Sequence, residues 1–492
     1  MLYDALIAPH AEHDAPFLVD DAGRVLSYRA FVQLAARVAA VLLEQRVRPG
    51  DRVVAQVPKT TEAVALYAAC LQIGAVYLPL NSAYTGAELA YFLTDATPAV
   101  VVCDAADENS LRSLTDAPVL TLSADGGGSL ATAAEARAPS GEIVPRGPED
   151  LAGLLYTSGT TGRSKGAMMS HRNLLSNARA LTDLWRITDA DRLIHALPIF
   201  HTHGLFVALN TALLAGAEVR FMARFDAEVV LKALPGATLM MGVPTFYTRL
   251  LDHPDLTRAA TANMRLFISG SAPLLAETHE AWTARTGHRI LERYGMTETN
   301  MITSNPYDGD RVPGTVGHAL PGVEVQVCDA DGTPLPAGEI GVIEVRGPNV
   351  FSGYWQMPEK TAEEIRPNGF FITGDLGVMD ADGRVTIVGR QKDLIITGGY
   401  NVYPKEVEDV LNAIPGILES AVFAGRDADF GEKVMAALVR APGSAVTEAE
   451  IAERLSDQLA RFKHPRALVW LEALPRNTMG KVQKNVLRAE HG

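Results

Sequence analysis

The N-terminal part of the chain alternates between short apolar runs and longer amphipathic stretches. Runs of strand length and patterns of helical period follow one another at 28–45, 52–57, 61–73, 75–80, 88–94 and 99–103. Strands that alternate with helices in this way are typical of βαβ units and a mostly parallel sheet. The same rhythm resumes at residue 192 and continues to residue 269. We therefore predict an α/β fold with mixed, mostly parallel sheets and surrounding helices for this large N-terminal part.

Three segments depart from this rhythm. Residues 123–150 are rich in Gly, Ala, Ser and Pro and predict a surface connection. Between residues 322 and 345, short apolar stretches separated by Gly and Pro predict a small β-rich subdomain. Beyond a polar joint at 389–393, a compact pattern of helices and strands continues to the last residue, which predicts a small α+β C-terminal unit.

Length and composition limit the class of protein. A chain of 492 residues exceeds one ordinary domain, and we place the boundary at the polar joint, which gives domains 1–391 and 392–492 with a hinge near Lys392. The formal charge of −14 argues against a general affinity for nucleic acid or for an anionic membrane. The first residues lack the pattern of a signal peptide, and three cysteines without metal-type spacing suit a reducing compartment. We expect a cytoplasmic enzyme.

The most distinctive stretch is a loop rich in glycine and hydroxyl side chains that follows the apolar run 151–155. Glycine lets backbone N–H groups approach phosphate oxygens, hydroxyls add donors, and Arg163 and Lys165 supply positive charge. The loop lacks the Gly-Lys-Ser/Thr ending of a Walker A motif, and a solvated surface loop would have the same composition. The residues that would bind phosphate are Thr157, Ser158, Gly159, Thr160, Thr161, Gly162 and Lys165.

Further motifs follow in order along the chain. They are two histidines after a strand at 197–205, small residues at 268–273, the string 293–299, an acid at a predicted turn at 371–375, and a basic stretch at 475–484. Each alone has an ordinary explanation, such as a capped turn, tight packing or a solvated charge. The paired histidines could suggest a metal site, but neither a cysteine nor a carboxylate lies near enough in sequence to complete it.

Together these motifs resemble those of the adenylate-forming superfamily, which comprises acyl-CoA synthetases, peptide-synthetase adenylation domains and luciferases. The resemblance covers nearly the whole chain. It implies that a carboxylic acid reacts with ATP, in the presence of Mg²⁺ held by Glu298, to give an acyl-adenylate and pyrophosphate. By this resemblance the catalytic residues are His201, Thr297, Glu298 and Lys481. The nucleotide-binding residues, beyond the loop and Thr297, are Gly270, Ser271, Ala272, Pro273, Tyr294, Asp375 and Arg390.

The resemblance also implies a second half-reaction, in which coenzyme A takes the acyl group. In the superfamily the small domain swings about its hinge, which removes the catalytic lysine and brings a glycine loop inward. Here the corresponding CoA-binding residues are Gly398, Gly399 and Tyr400. The sequence around Lys481 resembles sites of regulatory acetylation, so a lysine acetyltransferase is an expected partner.

The strings 200–205, 241–247 and 292–300 most resemble malonyl-CoA synthetases. Most relatives have a small residue where this chain has Arg293, and a guanidinium there suits a second carboxylate on the substrate. The other expected substrate contacts are Thr202, His203, Ser269 and Met296.

Alternatives remain open at this point. Arg293 could instead turn to solvent or pair with Glu292. The substrate could include methylmalonate, or the enzyme could be a CoA ligase for another short acid. A stand-alone adenylation enzyme that loads a carrier protein would share the same motifs. A non-catalytic nucleotide sensor is disfavoured because the expected catalytic lysine and acid are both present.

Overall fold

The computed structural model describes residues 1–157, 164–397, 399–427, 429–477 and 480–492. Several residues expected to bind phosphate or CoA lie outside the described residues, namely Ser158, Gly159, Thr160, Thr161, Gly162 and Gly398. In the first part of the chain, helices and strands alternate as the hydrophobic pattern predicts. They are α1 Leu2–Leu6, β1 Pro16–Asp20, β2 Val25–Ser27, α2 Tyr28–Glu44, β3 Arg52–Gln56, α3 Thr61–Ile73, β4 Val76–Pro79, α4 Gly86–Ala96, β5 Val100–Cys103, α5 Glu108–Arg112, β6 Val119–Thr121, α6 Ser129–Glu135 and β7 Leu151–Thr157.

The central part of the chain continues this α/β arrangement. A π-helix at His203–Leu209 interrupts the regular helices, a feature that is common near functional sites. The other elements are β8 Lys165–Ser170, α7 His171–Leu184, β9 Arg192–His195, α8 Asn210–Ala215, β10 Glu218–Phe221, α9 Ala227–Ala233, β11 Leu239–Gly242, α10 Pro244–Leu251, β12 Leu266–Ser269, α11 Ala276–Thr286, β13 Leu291–Met296, β14 Asn300–Ser304 and β15 His318–Ala319.

Two large sheets organise these elements. One has the strand order β15-β14-β13-β12-β11-β9-β10-β1-β2 and is parallel from β13 to β1, with antiparallel strands at both ends. The other has the order β6-β5-β3-β4-β7-β8 and is parallel except for the β7–β8 pair. Strands buried on both faces need nearly continuous apolar sequences, and β5 and β12 show this pattern. The predicted fold class is confirmed.

The predicted β-rich subdomain is present as an antiparallel sheet, followed by the C-terminal α+β unit. The antiparallel sheet comprises β16 Glu324–Cys328, β17 Gly341–Arg346, β18 Phe371–Met379 and β19 Val385–Arg390, with α12 Pro358–Glu364 between its strands. The C-terminal unit comprises β20 Ile395–Thr397, β21 Tyr400–Val402, α13 Pro404–Asn412, β22 Ile417–Asp427, β23 Gly431–Arg440, α14 Glu448–Gln458, β24 Ala467–Leu471 and α15 Lys484–His491. This unit has apolar clusters of its own, drawn from residues between Ile395 and Leu487.

Three local predictions are wrong. The segment 123–150 is not only a surface connection, because it contains α6, whose Leu130 and Ala134 are buried. The acid Asp375 is not at a turn, because β18 continues through it to Met379. The polar joint is shorter than predicted, since β19 extends to Arg390 and a 3₁₀ helix follows at Gln391–Asp393. Within the described ranges, no helix is both long and apolar enough to cross a membrane.

Candidate active site

A buried arginine, Arg293, lies within β13 beside the carboxyl end of β12. Arg293 is 3% exposed, and its side chain packs against the backbone of Gly270, where a Cβ would come 2.4 Å from Cζ of Arg293. In the part of the chain that the structure describes, its Nε and Nη2 atoms have no hydrogen-bond partner. Burial lowers the pKa of Arg293 to about 9, so the guanidinium stays charged at neutral pH.

The alternatives left open for Arg293 do not apply. The side chain does not reach solvent, and Glu292 points to other groups. One carboxylate oxygen of Glu292 lies 3.7 Å from Nδ1 of His279 and 3.4 Å from the backbone nitrogen of Gly314. A buried arginine without an acidic partner is costly, because burial penalises a charge that nothing compensates.

The histidine segment 201–204 lies close to Arg293, whose charge acts on both histidines. His203 opens the π-helix, is fully buried, and places its Nδ1 atom 3.1 Å from the hydroxyl of Ser271. Its Nε2 atom has no partner among the described residues. The hydroxyl of Thr202 donates to Oδ1 of Asn300 over 3.0 Å, and the Nδ1 atom of His201 accepts from the backbone nitrogen of His203.

Both histidines are held in the neutral form. The pKa of His201 is lowered to about 3 by burial and, to a lesser degree, by the charges of Lys481 and Arg293. The pKa of His203 is lowered well below its ordinary value by burial and by the same arginine. A pocket with a permanent cation and neutral histidines is therefore built to receive negative charge from a ligand.

Lys481 reaches this site from the C-terminal unit. Its backbone nitrogen is 3.0 Å from Oδ1 of Asn477, and its carbonyl oxygen accepts from the backbone nitrogen of that residue. Burial and the nearby Arg390 lower the pKa of Lys481 to about 8, whereas Asp375 and Glu298 act in the opposite direction. The adjacent Gly480 packs against Thr245 of α10, so the small unit touches the large one beside the lysine.

Three of the residues expected to bind the nucleotide, Tyr294, Asp375 and Arg390, are joined by direct contacts. The hydroxyl of Tyr294 donates to Oδ2 of Asp375 over 2.5 Å, and Nε of Arg390 lies 3.2 Å from Oδ1 of the same carboxylate. Asp375 and Arg390 are also register partners on β18 and β19. The antiparallel pairing thus brings together an acid and a base that are fifteen residues apart in the sequence numbering.

The nucleotide-binding residues expected at 270–273 follow directly after β12. Ser271 has a positive φ of 70°, which is uncommon for a residue other than glycine and marks local strain. Ala272 is half-buried and Pro273 exposed. Ser269 ends the strand with a hydroxyl that is buried and has no partner within the described residues. Met296 and Thr297 are half-buried at the junction of β13 and the next turn.

The phosphate side of the site centres on Glu298 and a neighbouring tyrosine. The hydroxyl of Tyr354 lies 3.1 Å from Oε1 of Glu298 and 2.6 Å from Oε2 of Glu364. Nζ of Lys165 pairs with Glu364 over 2.9 Å and lies 4.1 Å from the ring centre of Tyr354. Thr157 and Lys165 are register partners on β7 and β8. The loop is therefore followed first by strand β8, and the predicted helix begins only after it.

The chemistry of Glu298 fits a magnesium ion. Its carboxylate is buried, and burial raises its pKa, which means that a cation is needed to stabilise the charged form. Among the described residues no group of three potential metal ligands is found. Mg²⁺ is commonly bound by one or two carboxylates together with substrate phosphates, so a lone buried glutamate is sufficient.

The residues expected to bind CoA lie apart from this pocket. Gly399 and Tyr400 are exposed, and the ring of Tyr400 stacks on Phe462 with 4.8 Å between ring centres. In the arrangement described, Lys481 occupies the site while this loop faces solvent. Sequence reasoning missed Tyr354 and Glu364, which lie outside the motifs, and gave no role to Asn300, which ends the string 292–300.

Comparisons with known proteins find similar sequences and similar structures over most of the chain. Residues 7–355 match the family model "AMP-binding enzyme" and residues 406–481 match "AMP-binding enzyme C-terminal domain". The structure is similar to that of ATP-bound MatB from Rhodopseudomonas palustris, with a TM-score of 0.98, 55% identity and coverage of 99% of this chain and 98% of that chain. The mitochondrial malonate–CoA ligase of Mus musculus is 36% identical, covering 84% of this chain and 77% of its own length. A feruloyl-CoA synthase of Streptomyces sp is 34% identical, covering 99% and 97%.

Proposed function

Because this chain belongs to the family of AMP-binding enzymes, we propose that it joins malonate to coenzyme A through an acyl-adenylate, with release of AMP and pyrophosphate. Its relatives at 34–36% identity are CoA ligases that differ in their acids, so the chain is an acid–thiol ligase and the choice of malonate is the proposal. Methylmalonate, which adds one methyl group, is included in the proposed substrate range.

The observation that carries the proposal is the buried guanidinium of Arg293. A monocarboxylate would use its single charge at the reacting end and leave this cation without a partner, which is unfavourable in a closed pocket. Malonate has a second carboxylate that can accept two charge-assisted hydrogen bonds from Nε and Nη2. The free Nε2 of His203 and the free hydroxyl of Ser269, within the described residues, offer further donors to the same carboxylate.

In the first half-reaction, the chain's own residues position two anions that repel each other. Lys481, charged at neutral pH, would bridge the reacting carboxylate and the α-phosphate, and Thr297 would donate to the phosphate. Neutral His201 borders the reacting carboxylate without adding charge. Glu298 would hold Mg²⁺, which neutralises phosphate charge when bound. Tyr294, Asp375 and Arg390 would fix the nucleoside.

For the second half-reaction, we propose that the C-terminal unit rotates about a hinge near Lys392. Rotation would withdraw Lys481 and carry Gly399 and Tyr400 from the surface into a CoA tunnel. The short 3₁₀ helix at Gln391–Asp393 separates β19 from β20 and is the natural place for such a change. Acetylation of Lys481 by an acetyltransferase would remove the bridging charge and stop adenylate formation.

The experiment that tests the proposal compares acids with and without a second carboxylate. The purified protein is assayed with ATP, CoA and acetate, propionate, butyrate, malonate, methylmalonate or succinate. Malonate should give the highest kcat/KM. Preference for a monocarboxylate would contradict the proposal, and transfer only to a carrier protein would favour the adenylation alternative.

The matched variants are Arg293→Gly and Arg293→Lys. The glycine variant should lose about three orders of magnitude in kcat/KM for malonate. A site built to hydrogen-bond one substrate group discriminates by factors of this size or more, and the substitution removes the partner of that group. Its ATP binding should be nearly unchanged, and activity on butyrate should rise. The lysine variant should recover activity only in part, because an ammonium cannot form the paired hydrogen bonds. An Arg293→Gly enzyme that still prefers malonate over acetate would show that another residue reads the distal carboxylate.

A further inference from the structure

A half-buried lysine outside the proposed reaction joins the two large sheets. Lys59 follows β3 and precedes the N-cap of α3, and its Nζ atom reaches His195 at the end of β9. Nζ lies 2.8 Å from Nδ1 of His195, 2.8 Å from the carbonyl oxygen of the same residue, and 4.4 Å from the ring centre of Phe221. Two acceptors and an aromatic face thus surround the amine.

The contacts of His195 determine its tautomer. Its Nε2 atom is 2.9 Å from the carbonyl oxygen of Gly204, and a carbonyl oxygen can only accept, so Nε2 carries the hydrogen. The ring is neutral, because burial and the adjacent Lys59 lower the pKa of His195 well below its ordinary value. In a neutral ring with hydrogen on Nε2, Nδ1 must accept, which is the role that the lysine donor serves.

The carbonyl of Gly204 lies at the start of the π-helix that carries His203. The backbone is compressed here, because a Cβ on Gly204 would come 2.1 Å from the carbonyl oxygen of Pro198. The backbone nitrogen of Leu205 donates to the carbonyl oxygen of His201 over 3.0 Å, which closes the same turn. The orientation of the segment 201–204 therefore depends on what holds the Gly204 carbonyl.

We infer that Lys59 and His195 act as positioning residues for the histidine segment 201–204 of the acid pocket. Lys59 donates one hydrogen bond to the ring of His195 and one to its backbone carbonyl, and the ring of His195 bonds the carbonyl of Gly204. His203 then presents its Nε2 atom to the pocket while its Nδ1 atom contacts Ser271. The inference rests on the proposed function only in its choice of substrate, since the hydrogen-bond chain exists without any ligand.

The kinetic test uses substitutions that remove or keep one bond. Lys59→Met keeps the length of the side chain and removes the amine that donates to His195. His195→Asn removes the N–H that donates to the carbonyl of Gly204. His195→Gln keeps a side-chain N–H near the position of Nε2. We expect kcat/KM for malonate to fall about tenfold to a hundredfold in the methionine and asparagine variants, since small displacements at a reacting centre cost factors of this size. The glutamine variant should stay within a few fold of the wild type. KM for ATP should remain unchanged in all three.

The ¹⁵N chemical shifts of His195 give a readout that does not require activity. In the wild-type protein, Nδ1 should show the shift of an unprotonated nitrogen and Nε2 that of a protonated one. In Lys59→Met the Nδ1 shift should move, because this nitrogen loses its donor, whereas Nε2 should keep the shift of a protonated nitrogen. If the wild type shows the opposite tautomer, or if Lys59→Met leaves both the shifts and kcat/KM for malonate unchanged, the inference is wrong. If malonate is not a substrate at all, the proposed function fails, and the shifts together with the acid found active still decide this inference. Melting temperatures confirm that each variant is folded.

Discussion

The guanidinium of Arg293 lies directly over the backbone of Gly270, at a distance that leaves no room for a side chain. A Cβ at Gly270 would come 2.4 Å from Cζ, 2.5 Å from Nη1 and 2.6 Å from Nε of Arg293. Such separations are far shorter than contact distances between non-bonded atoms, so an alanine would displace the guanidinium. Gly270, which the sequence assigned to the nucleotide, thus also sets the place of the residue that we propose to read the acid.

We expect Gly270→Ala to lower kcat/KM for malonate by about tenfold to a hundredfold, because the displaced guanidinium no longer meets the distal carboxylate. In an Arg293→Gly background, the same substitution should cost little. A double-mutant cycle measured with malonate, and with ATP binding as the reference, quantifies this coupling. An equal loss in both backgrounds would mean that Gly270 acts through the nucleotide alone.

The rate of adenylate formation should fall at high pH because Lys481 loses its proton. Its pKa is lowered to about 8, chiefly by burial, and only the protonated amine can bridge two anions. We expect kcat/KM for adenylate formation, followed by pyrophosphate exchange, to decline above about pH 8. Lys481→Ala should lose at least about a hundredfold in this step, as expected for removal of one preorganised donor.

The second half-reaction is the control for this prediction. Thioester formation from preformed acyl-adenylate should lack the limit near pH 8 and should survive Lys481→Ala. Equal losses in both half-reactions would contradict the assignment of Lys481 to adenylation alone.

Glu364 should weaken the binding of ATP in the wild-type enzyme. It pairs with Lys165 over 2.9 Å and so competes with phosphate for the lysine. Its charge also raises the pKa of Glu298, although burial is the larger cause. We expect Glu364→Gln to lower KM for ATP roughly three- to tenfold with little change in kcat, because a hydrogen bond to a charged group contributes about 1.5–3 kcal/mol before screening.

Glu363→Gln is the matched control, since this neighbour on α12 is exposed and contacts Lys360 instead. Its KM for ATP should equal that of the wild type. A rise in KM for ATP in Glu364→Gln would instead show that Glu364 helps to place Lys165 for catalysis.

Lys59 should make stability depend on pH in a predictable direction. Burial lowers its pKa well below the value of 10.5 expected in the unfolded chain. Between these two pKa values the unfolded chain binds one more proton than the native protein, so the free energy of unfolding rises with pH. The limiting slope is about 1.4 kcal/mol per pH unit.

The measurement compares urea denaturation of the wild type and Lys59→Met between pH 7 and pH 10. All other titrating groups are shared, so the difference between the two proteins isolates Lys59. The wild type should gain stability relative to the variant as pH rises. Parallel curves would indicate that Lys59 keeps an ordinary pKa in the native state.

Much of the fold follows from local sequence because local signals and tertiary packing agree there. Thr60 caps α3 by accepting from the backbone nitrogen of Ala63, and Gly74 ends the helix in a left-handed conformation with φ of 72°. Both residues are standard signals, and α3 was predicted with its observed bounds. The helix α6 was missed because Gly, Ala and Ser give weak periodicity, and only the burial of Leu130 and Ala134 stabilises it.

The site was less accessible to sequence reasoning, since its contacts join distant parts of the chain. Arg293 could be recognised from the sequence as a candidate for binding a carboxylate. Its packing on Gly270 could not be predicted, because it depends on the pairing of β12 with β13. Lys59 and His195 are separated by 136 residues and belong to different sheets, so no spacing or periodicity could pair them. The turn expected at Asp375 is absent, because β18 continues through Gly374, which has a positive φ of 70° within the strand.

Within the described residues Arg293 is a buried cation without an acidic partner, so we expect it to attract small anions other than the substrate. In the cell, Arg293 would draw sulfate, phosphate or a buffer carboxylate into its pocket whenever malonate is absent, because any counter-ion lowers the cost of burying the guanidinium. Under the proposed function, malonate would compete with such an ion for Arg293. The apparent KM for the acid should therefore depend on which anions are present in solution. We expect a lower apparent KM in chloride than in sulfate at equal ionic strength.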